Sequence, residues 1–597
     1  MDINSTIDYL QQQGILMDLE LYFARFIVSF ADEDKDLVFL ATLLLSHFST
    51  QGHTCIDLAL LANSKFPPME TSPRYFLQLP TIDKWLNALK NCRAVGVSGD
   101  YTPLILDKHR LYLHRYWEYE QQLTANLRMR LFQTAPPINQ QLLQQGLSRL
   151  FPTPDQAEQR NAAQIAILRQ FCIISGGPGT GKTSLIIKIL ALLLEQNNHL
   201  NIALAAPTGK ATARLQEILK SAKAVLNCAP TVKAALPVET YTLHRLLGSV
   251  SHSPYFRSHA AQPLPYEVVV VDEASMVDLA LMTKLAQAIP LSSRWLLLGD
   301  KDQLASVEAG TVLGDICAAG QSEILEAFPE AVTSLNKSIT FLYKNYRFNQ
   351  ENGIGKLAEA VKQGQGEAAL RILKSDHYPE VSWQTWTDFS VEVPILKELE
   401  TLFENYFFAQ LPADSLQILD RFCLLCALRQ GRYSVNMINR LLEQKFSEKG
   451  WIPAVPRGYQ GHYHGRPIMI TRNDYRLKLF NGDRGIILRN PAHSQELQAY
   501  FLSPDGQLRT YWPPRLPEHE TAYAMTIHNS QGAEFDNVLI LLPEQPVPLL
   551  TRELIYTAIT RARQTVTLCG SEPIFKAAVA QQLNRTSGLC EALLTCR

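Results

Sequence analysis

Between apolar runs at residues 171–174 and 185–194 stands Gly176-Gly177-Pro178-Gly179-Thr180-Gly181-Lys182-Thr183. No other stretch constrains the fold as strongly. The order strand, glycine-rich turn, helix matches G-x-x-x-x-G-K-[ST], in which backbone N–H groups and the positive end of a helix surround phosphate oxygens. Lys182 has the reach for β- and γ-phosphates, and the Thr183 hydroxyl suits Mg²⁺. The spacing predicts an α/β fold with a parallel sheet and a nucleoside triphosphate held by residues 176–183. Gln159 lies seventeen residues before Gly176, where an amide can read both the donor and the acceptor edge of adenine, which makes ATP the expected nucleotide. Asp155 is expected to cap the helix that leads into the loop strand.

A second half of such a site follows. Residues 268–271 are all valine and end in Asp272-Glu273-Ala274-Ser275. A buried parallel strand that delivers two acids at its carboxyl end suits Mg²⁺ binding by Asp272 and activation of water by Glu273 as general base. Residues 296–304 repeat the design, a strand and a turn ending in Gln303, placed to sense the γ-phosphate.

With 597 residues the chain exceeds a single core and is expected to form several domains. Lys and Arg total 56 and Asp and Glu 57, so no net field attracts a polyanion and any nucleic-acid contact must be local. The charge is uneven. Residues 1–40 hold eight acids and two bases, a surface that repels phosphates. Residues 1–135 are therefore read as a mainly helical docking unit for protein partners, with a hairpin at 104–114 and with His47 and His53 in structural roles. Residues 451–490 hold seven bases and two acids, interleaved with Trp451, Tyr459, Tyr463, Tyr475 and Phe480. Such a mixture suits single-stranded DNA, whose phosphates need charge and whose bases stack; the alternative is a solvated β face with its aromatics in the core. The polar tail at 585–597 is expected to pack at an edge or to be partly disordered.

Cys423 and Cys426 form a C-x-x-C inside an apolar segment with no second pair nearby, which reads as a buried strand. Scattered cysteines, the absence of a basic-then-apolar amino terminus and apolar runs too short for a bilayer point to a cytoplasmic protein without a membrane anchor.

Loops after other strands, Pro207-Thr208-Gly209-Lys210 with Arg214 and Thr242-Leu243-His244, can clamp a sugar-phosphate backbone, though each alone is equally a helix cap. Taken in order, residues 176–183, 207–214, 272–275, 299–304, 346–348, 526–535 and 556–563 resemble the motifs of superfamily 1 helicases. Within that superfamily the wording of residues 174–183, 206–211, Tyr346-Arg347-Phe348 with Gly353-Ile354-Gly355, and the amino-terminal Gly52-His53-Thr54-Cys55 and Arg115-Tyr116-Trp117 is similar to the RecD-type alpha subunits of exodeoxyribonuclease V. That likeness runs along nearly the whole chain.

The resemblance implies two RecA-like motor domains, about 136–345 and 346–597, with an SH3-like insertion near 450–520. It implies ATP in the cleft between them, Arg347 and Arg561 reaching phosphates from the second motor domain, and Glu534 in the nucleotide site. It also implies 5′ to 3′ movement on DNA through contacts from Pro207, Thr208, Arg214, His244, Thr526 and His528, joined by Arg472, Tyr475 and Lys478 of the basic insert. The expected partners are double-strand DNA ends, single strands, and RecB-like and RecC-like subunits in a heterotrimer acting in double-strand-break repair and homologous recombination. No nuclease constellation is evident, so cleavage is expected of a partner. A free-standing helicase and a nucleotide-switched scaffold are the alternative readings.

Overall fold

The computed structural model describes residues 3–67, 76–133, 136–250, 253–322, 334–347, 352–385, 402–408, 411–454, 461–474, 476–490, 496–503 and 506–595. Its centre is a six-stranded parallel sheet in the order Ile339–Leu342, Phe171–Gly176, Arg294–Gly299, Val268–Val271, Ile202–Ala206, Tyr241–Thr242. Every residue of Phe171–Gly176 and of Val268–Val271 is buried, as a parallel sheet covered on both faces requires. Side chains alternate between two cores. Phe171 and Ile173 meet Met282, Leu285 and Val312 on one face, while Cys172 and Ile174 meet Leu185, Ile189 and Leu193 on the other. Each fully buried Val, Leu or Ile contributes on the order of 1.5–3 kcal/mol.

The helix His114–Phe132 precedes the Pro136-Pro137 pair yet packs on this sheet through Leu123, Leu127 and Leu131. Buried Arg130 fastens it, donating to the carbonyls of Ala286, Ile289, Pro290 and Ser293 at the end of helix Leu279–Ala288. Carbonyls that a helix end leaves without amide partners are there met by a cation, which also suits the helix dipole.

A second parallel sheet has five strands, in the order Val381–Thr385, Ala562–Gly570, Phe535–Leu541, Phe422–Cys426, Ala524–Thr526. Cys423 and Cys426 lie buried in an inner strand, in line with the sequence. Between helix Val435–Glu448 and strand Ala524–Thr526, a five-stranded antiparallel sheet spans residues 466–521 around its own core of Ile468, Ile470, Ile487, Ala499 and Phe501.

The amino-terminal part packs helices Ile3–Gln12, Asp18–Val28, Lys35–Thr50 and Ile82–Lys90 around a separate core, beside a small sheet that includes the expected hairpin Leu104–Asp107 and Arg110–Leu113. His47 is buried against Glu20, 3.2 Å away, and His53 accepts from the Thr586 backbone at 2.9 Å.

Three expectations need correction. Asp155 does not cap the helix Ala157–Leu168, whose N-cap is Gln156; its carboxylate instead pairs with Lys344 at 2.5 Å. Trp451 and Tyr463 are not surface aromatics of the basic insert. Trp451 stacks on Phe446 with ring centroids 5.6 Å apart, and Tyr463 is buried in the same core, because helix Val435–Glu448 needs apolar cover. The tail from 585 is more than an edge segment, since it acts as a clasp. Arg585 donates to the carbonyls of Ser306 and Glu308, Thr586 bonds His53 and Thr54, and Glu591 takes Lys108 and Arg110.

Candidate ATP site and nucleic-acid face

The phosphate loop leaves the carboxyl end of strand Phe171–Gly176 and enters helix Lys182–Gln196. Gly179 and Gly181 take φ of +83° and +78°, a region open to glycine. Side chains close around the loop so tightly that added carbons have no room. A Cβ on Gly177 would lie 2.9 Å from the Tyr556 hydroxyl, and one on Gly181 would lie 2.6 Å from Gln159 Nε2. Lys182 Nζ donates to the carbonyls of Gly176 and Gly177 at 2.5 and 3.1 Å. Thr180 Oγ1 donates to Gly177 O at 2.8 Å, and the Gln159 amide donates to Thr180 O at 2.9 Å. The Gln159 N–H is thus directed to the loop itself. The segment after strand Ile339–Leu342 lies across Pro178 and Gly179: Asn345 Nδ2 donates to Pro178 O, and Tyr346 N to Gly179 O, each at 2.8 Å.

The acids stand at the next strand ends. Thr183 Oγ1 donates to Asp272 Oδ2 at 3.2 Å, and Asp272 Oδ1 accepts from Glu273 N at 2.9 Å. Burial first, then the charge of Glu273, pushes the Asp272 carboxyl up to about 6, against the pull of Lys182 and Arg214. Glu273 has φ of +53°, which turns it out of the strand line. A hydroxyl beside a carboxylate is a hard-oxygen donor pair that fits Mg²⁺, a cation commonly bound by one or two carboxylates plus substrate phosphates. Among the described residues no group of three or more His, Cys, Asp or Glu is placed to hold a metal.

Asp300, on the turn after strand Arg294–Gly299, is buried, and burial raises its carboxyl above the usual range. It accepts from Tyr556 OH at 3.0 Å. Gln303 is buried on the same turn, and Leu304 N donates to Thr557 Oγ1 at 2.9 Å. Helix Arg552–Ile559 of the second sheet therefore bears directly on the phosphate side of the first.

The expected arginines divide. Arg347 Nη2 reaches Glu534 Oε1 at 2.5 Å, next to Gly179. Arg561 is buried, donating from Nε to Thr557 O and from Nη1 to Ala533 O; burial lowers its guanidinium below the usual value, with Glu273 and Glu534 pulling the other way. Arg214, grouped by sequence with the DNA contacts, is brought to Glu534 at 2.5 Å. The neighbouring guanidiniums are the partners that the structure gives Glu534.

The remaining DNA candidates sit at strand ends and loops. Pro207 and Thr208 follow strand Ile202–Ala206, and Thr208 Oγ1 caps helix Gly209–Val225. The His244 ring meets Phe256 edge-on at 5.8 Å. Thr526 Oγ1 accepts from Asn529 N at 3.2 Å, and His528 is half-buried in the following turn. Gly532 packs on Ala211, and Gly209 on Phe480, so these loops and the tip of the antiparallel sheet converge. On that tip Arg472 and Lys478 are exposed, Arg472 beside Glu518 at 3.3 Å. Tyr475, Tyr459, Arg457 and Phe348 lie outside the described residues.

Sequence comparison yields three family matches: an AAA domain over residues 159–309, the N-terminal domain of RecBCD enzyme subunit RecD over 12–112, and a UvrD-like helicase C-terminal domain over 521–569. The RecBCD enzyme subunit RecD of Mycobacterium tuberculosis is 37% identical, covering 97% of this chain and 95% of its own. That of Haemophilus influenzae is 32% identical, covering 99% of each. The ATP-dependent RecD2 DNA helicase of Deinococcus radiodurans is 31% identical over 70% of this chain and 50% of its own.

Proposed function

This chain belongs to the RecBCD enzyme subunit RecD family, and from that premise we propose that it is an ATP-hydrolysing DNA helicase, the RecD-type subunit of a RecBCD-type complex. One observation carries the reading. The phosphate loop, Asp272-Glu273 and Asp300, with Arg214 and Arg347 beside them, meet Tyr556, Arg561 and Glu534 across one cleft between two parallel sheets.

Lys182 has the charge and position to bind terminal phosphates, and Thr183 and Asp272 are the residues to hold Mg²⁺. When bound, Mg²⁺ supplies charge neutralisation at the phosphates being parted. Glu273 holds the proton-accepting role toward an attacking water. Asp272 is unsuited to it, since it is joined to Thr183 and faces the cation position. Tyr556 and Thr557, bonded to Asp300 and Leu304, tie the second sheet to the turn that follows the γ-phosphate side, so opening of the cleft moves both together. Loops at 207–208, 244 and 526–528, with Arg472 and Lys478 at the sheet tip, form the face assigned to one DNA strand, with movement 5′ to 3′. Cytoplasmic action on double-strand ends, with cleavage by a partner subunit, completes the reading.

Docking is assigned to the amino-terminal part. Helix Asp18–Val28 sends its apolar side chains in two directions: Leu21, Ala24 and Ile27 go to the core, while Leu19, Tyr22 and Phe26 are 71%, 66% and 58% exposed. Phe30 continues this outer stripe, 5.3 Å from Phe26. Exposed Asp18, Glu33, Asp34 and Asp36 lie close in sequence, so the stripe fits an apolar protein surface with basic edges and not DNA.

Glu273→Gln tests the reading. The variant should bind ATP with Mg²⁺ yet lose about 10²–10⁴-fold in turnover, the usual worth of a general base. Turnover within a few-fold of the parent would remove Glu273 from that role.

A further inference from the structure

Glu534 is the counter-ion of an arginine cluster at the cleft. Its side chain is only 7% exposed, yet Oε1 takes Arg214 and Arg347, each at 2.5 Å, and Oε2 takes Arg563 at 3.3 Å. Burial opposes ionisation, but the charges of Arg214 and Arg347 hold the carboxyl down at about 2. Three cations meet at this carboxylate, and Arg563 also reaches Asp536 at 3.9 Å.

The pair Arg214–Glu534 crosses between units. Arg214 projects from helix Gly209–Val225, which packs on the first sheet, while Glu534 immediately precedes strand Phe535–Leu541 of the second. Arg214 reaches the nucleotide side through Glu534 Oε1, which it shares with Arg347; burial works against its charge, but Glu534, Glu273 and Asp272 together raise its guanidinium above the usual value. Arg347 is tied to it by contact, since its own segment lies on Gly179. A guanidinium meets carboxylate and phosphate with the same planar fork of N–H donors. Sequence alone groups Arg214 with the DNA contacts, but its partners belong to the ATP side.

We propose that Arg214 acts on the terminal phosphate during hydrolysis, and that Glu534 is the positioning residue which aligns Arg214 and Arg347 for it. The proposal rests on the ATP-site reading above. It adds a phosphate-facing cation on the loop side of the cleft, one whose orientation depends on a carboxylate from the other side. Closure of the two units and alignment of Arg214 thereby become one event.

The test uses the full chain with Arg214→Ala, Arg214→Lys, Glu534→Gln and, as a control for the site itself, Lys182→Gln. Turnover is measured at saturating ATP and saturating single-stranded DNA, with ATP KM and single-strand Kd measured separately. The expected result for Arg214→Ala is a fall in kcat of at least about tenfold, with single-strand Kd and its salt slope unchanged. Arg214→Lys, folded and charged, should recover only part of that loss because an ammonium lacks the fork. Glu534→Gln should lower kcat without raising KM comparably, and its combination with Arg214→Ala should cost no more than the larger single change, as expected of residues acting as a unit. The idea is overturned if kcat at double saturation is retained in Arg214→Ala, or in Arg214→Lys should the alanine variant not fold. It is equally overturned if the two changes add independently. Retained hydrolysis in Lys182→Gln would instead sink the ATP-site reading, so the two failures are distinguishable.

Discussion

Glu120 makes the tail clasp sensitive to pH, and the effect can be worked out. The side chain is fully buried in helix His114–Phe132, where it accepts from Thr54 Oγ1 at 2.6 Å, Ser587 Oγ at 3.0 Å and Gly588 N at 3.2 Å. Burial nevertheless outweighs these bonds and raises its carboxyl from the ordinary 4.5 to about 7. A folded-state value above the unfolded one means that the fold binds the extra proton. The cost is therefore absent below about pH 4.5, grows as pH rises, and is complete above about pH 7, where it reaches about 3 kcal/mol. Neighbouring Asp315, raised by burial to about 6, contributes over the lower part of that range. The clasp should therefore open more readily at pH 8 than at pH 5. Hydrogen exchange of a peptide covering 583–595, corrected for the intrinsic rate, reads the opening free energy. Glu120→Gln keeps an acceptor for Thr54 but sets an NH₂ group against the Gly588 N–H, a pH-independent loss of about 1 kcal/mol. Its protection should fall much less between pH 6 and 8 than that of the parent. An identical pH slope in both proteins would show that Glu120 is not the titrating group.

Two further outcomes follow from the surfaces. Replacing Tyr22 and Phe26 by Ser should leave the melting temperature and DNA-stimulated ATPase intact while weakening capture of partner subunits at least tenfold, since exposed aromatics of this kind are typical interface anchors; unchanged capture would place the docking face elsewhere. Reversing Arg472 and Lys478 to Glu should lower single-strand affinity and flatten its salt dependence, because fewer counterions are released, with ATP affinity retained. A wild-type salt slope would take the sheet tip off the DNA path.

The parts of the site that were legible in the sequence are those that chemistry fixes within a few residues. A loop of the form G-x-x-x-x-G-K-T and a valine strand ending in Asp-Glu need no distant partner to be recognised, and their strands flank Arg294–Gly299, each paired with it in parallel register. What was missed depends on contacts made across hundreds of residues. Glu534 finds Arg214 and Arg347, and Glu120 finds Gly588, only once the sheets and tail are assembled. Glu120 did leave a trace: it shares a helical face with Leu123, Leu127 and Leu131, where a charge signals a buried partner. Trp451 and Tyr463 misled because bases near aromatics look alike in sequence whether the rings face solvent or core, and the core of helix Val435–Glu448 claimed them.

The central claim, that this chain is an ATP-driven DNA motor, is tested most directly by strand displacement from partial duplexes that carry a single-stranded tail at either the 5′ or the 3′ end. The account predicts displacement from the 5′-tailed duplex only, dependent on ATP and Mg²⁺ and abolished in Lys182→Gln. Displacement that proceeds without ATP, or that survives the loss of Lys182, would contradict it.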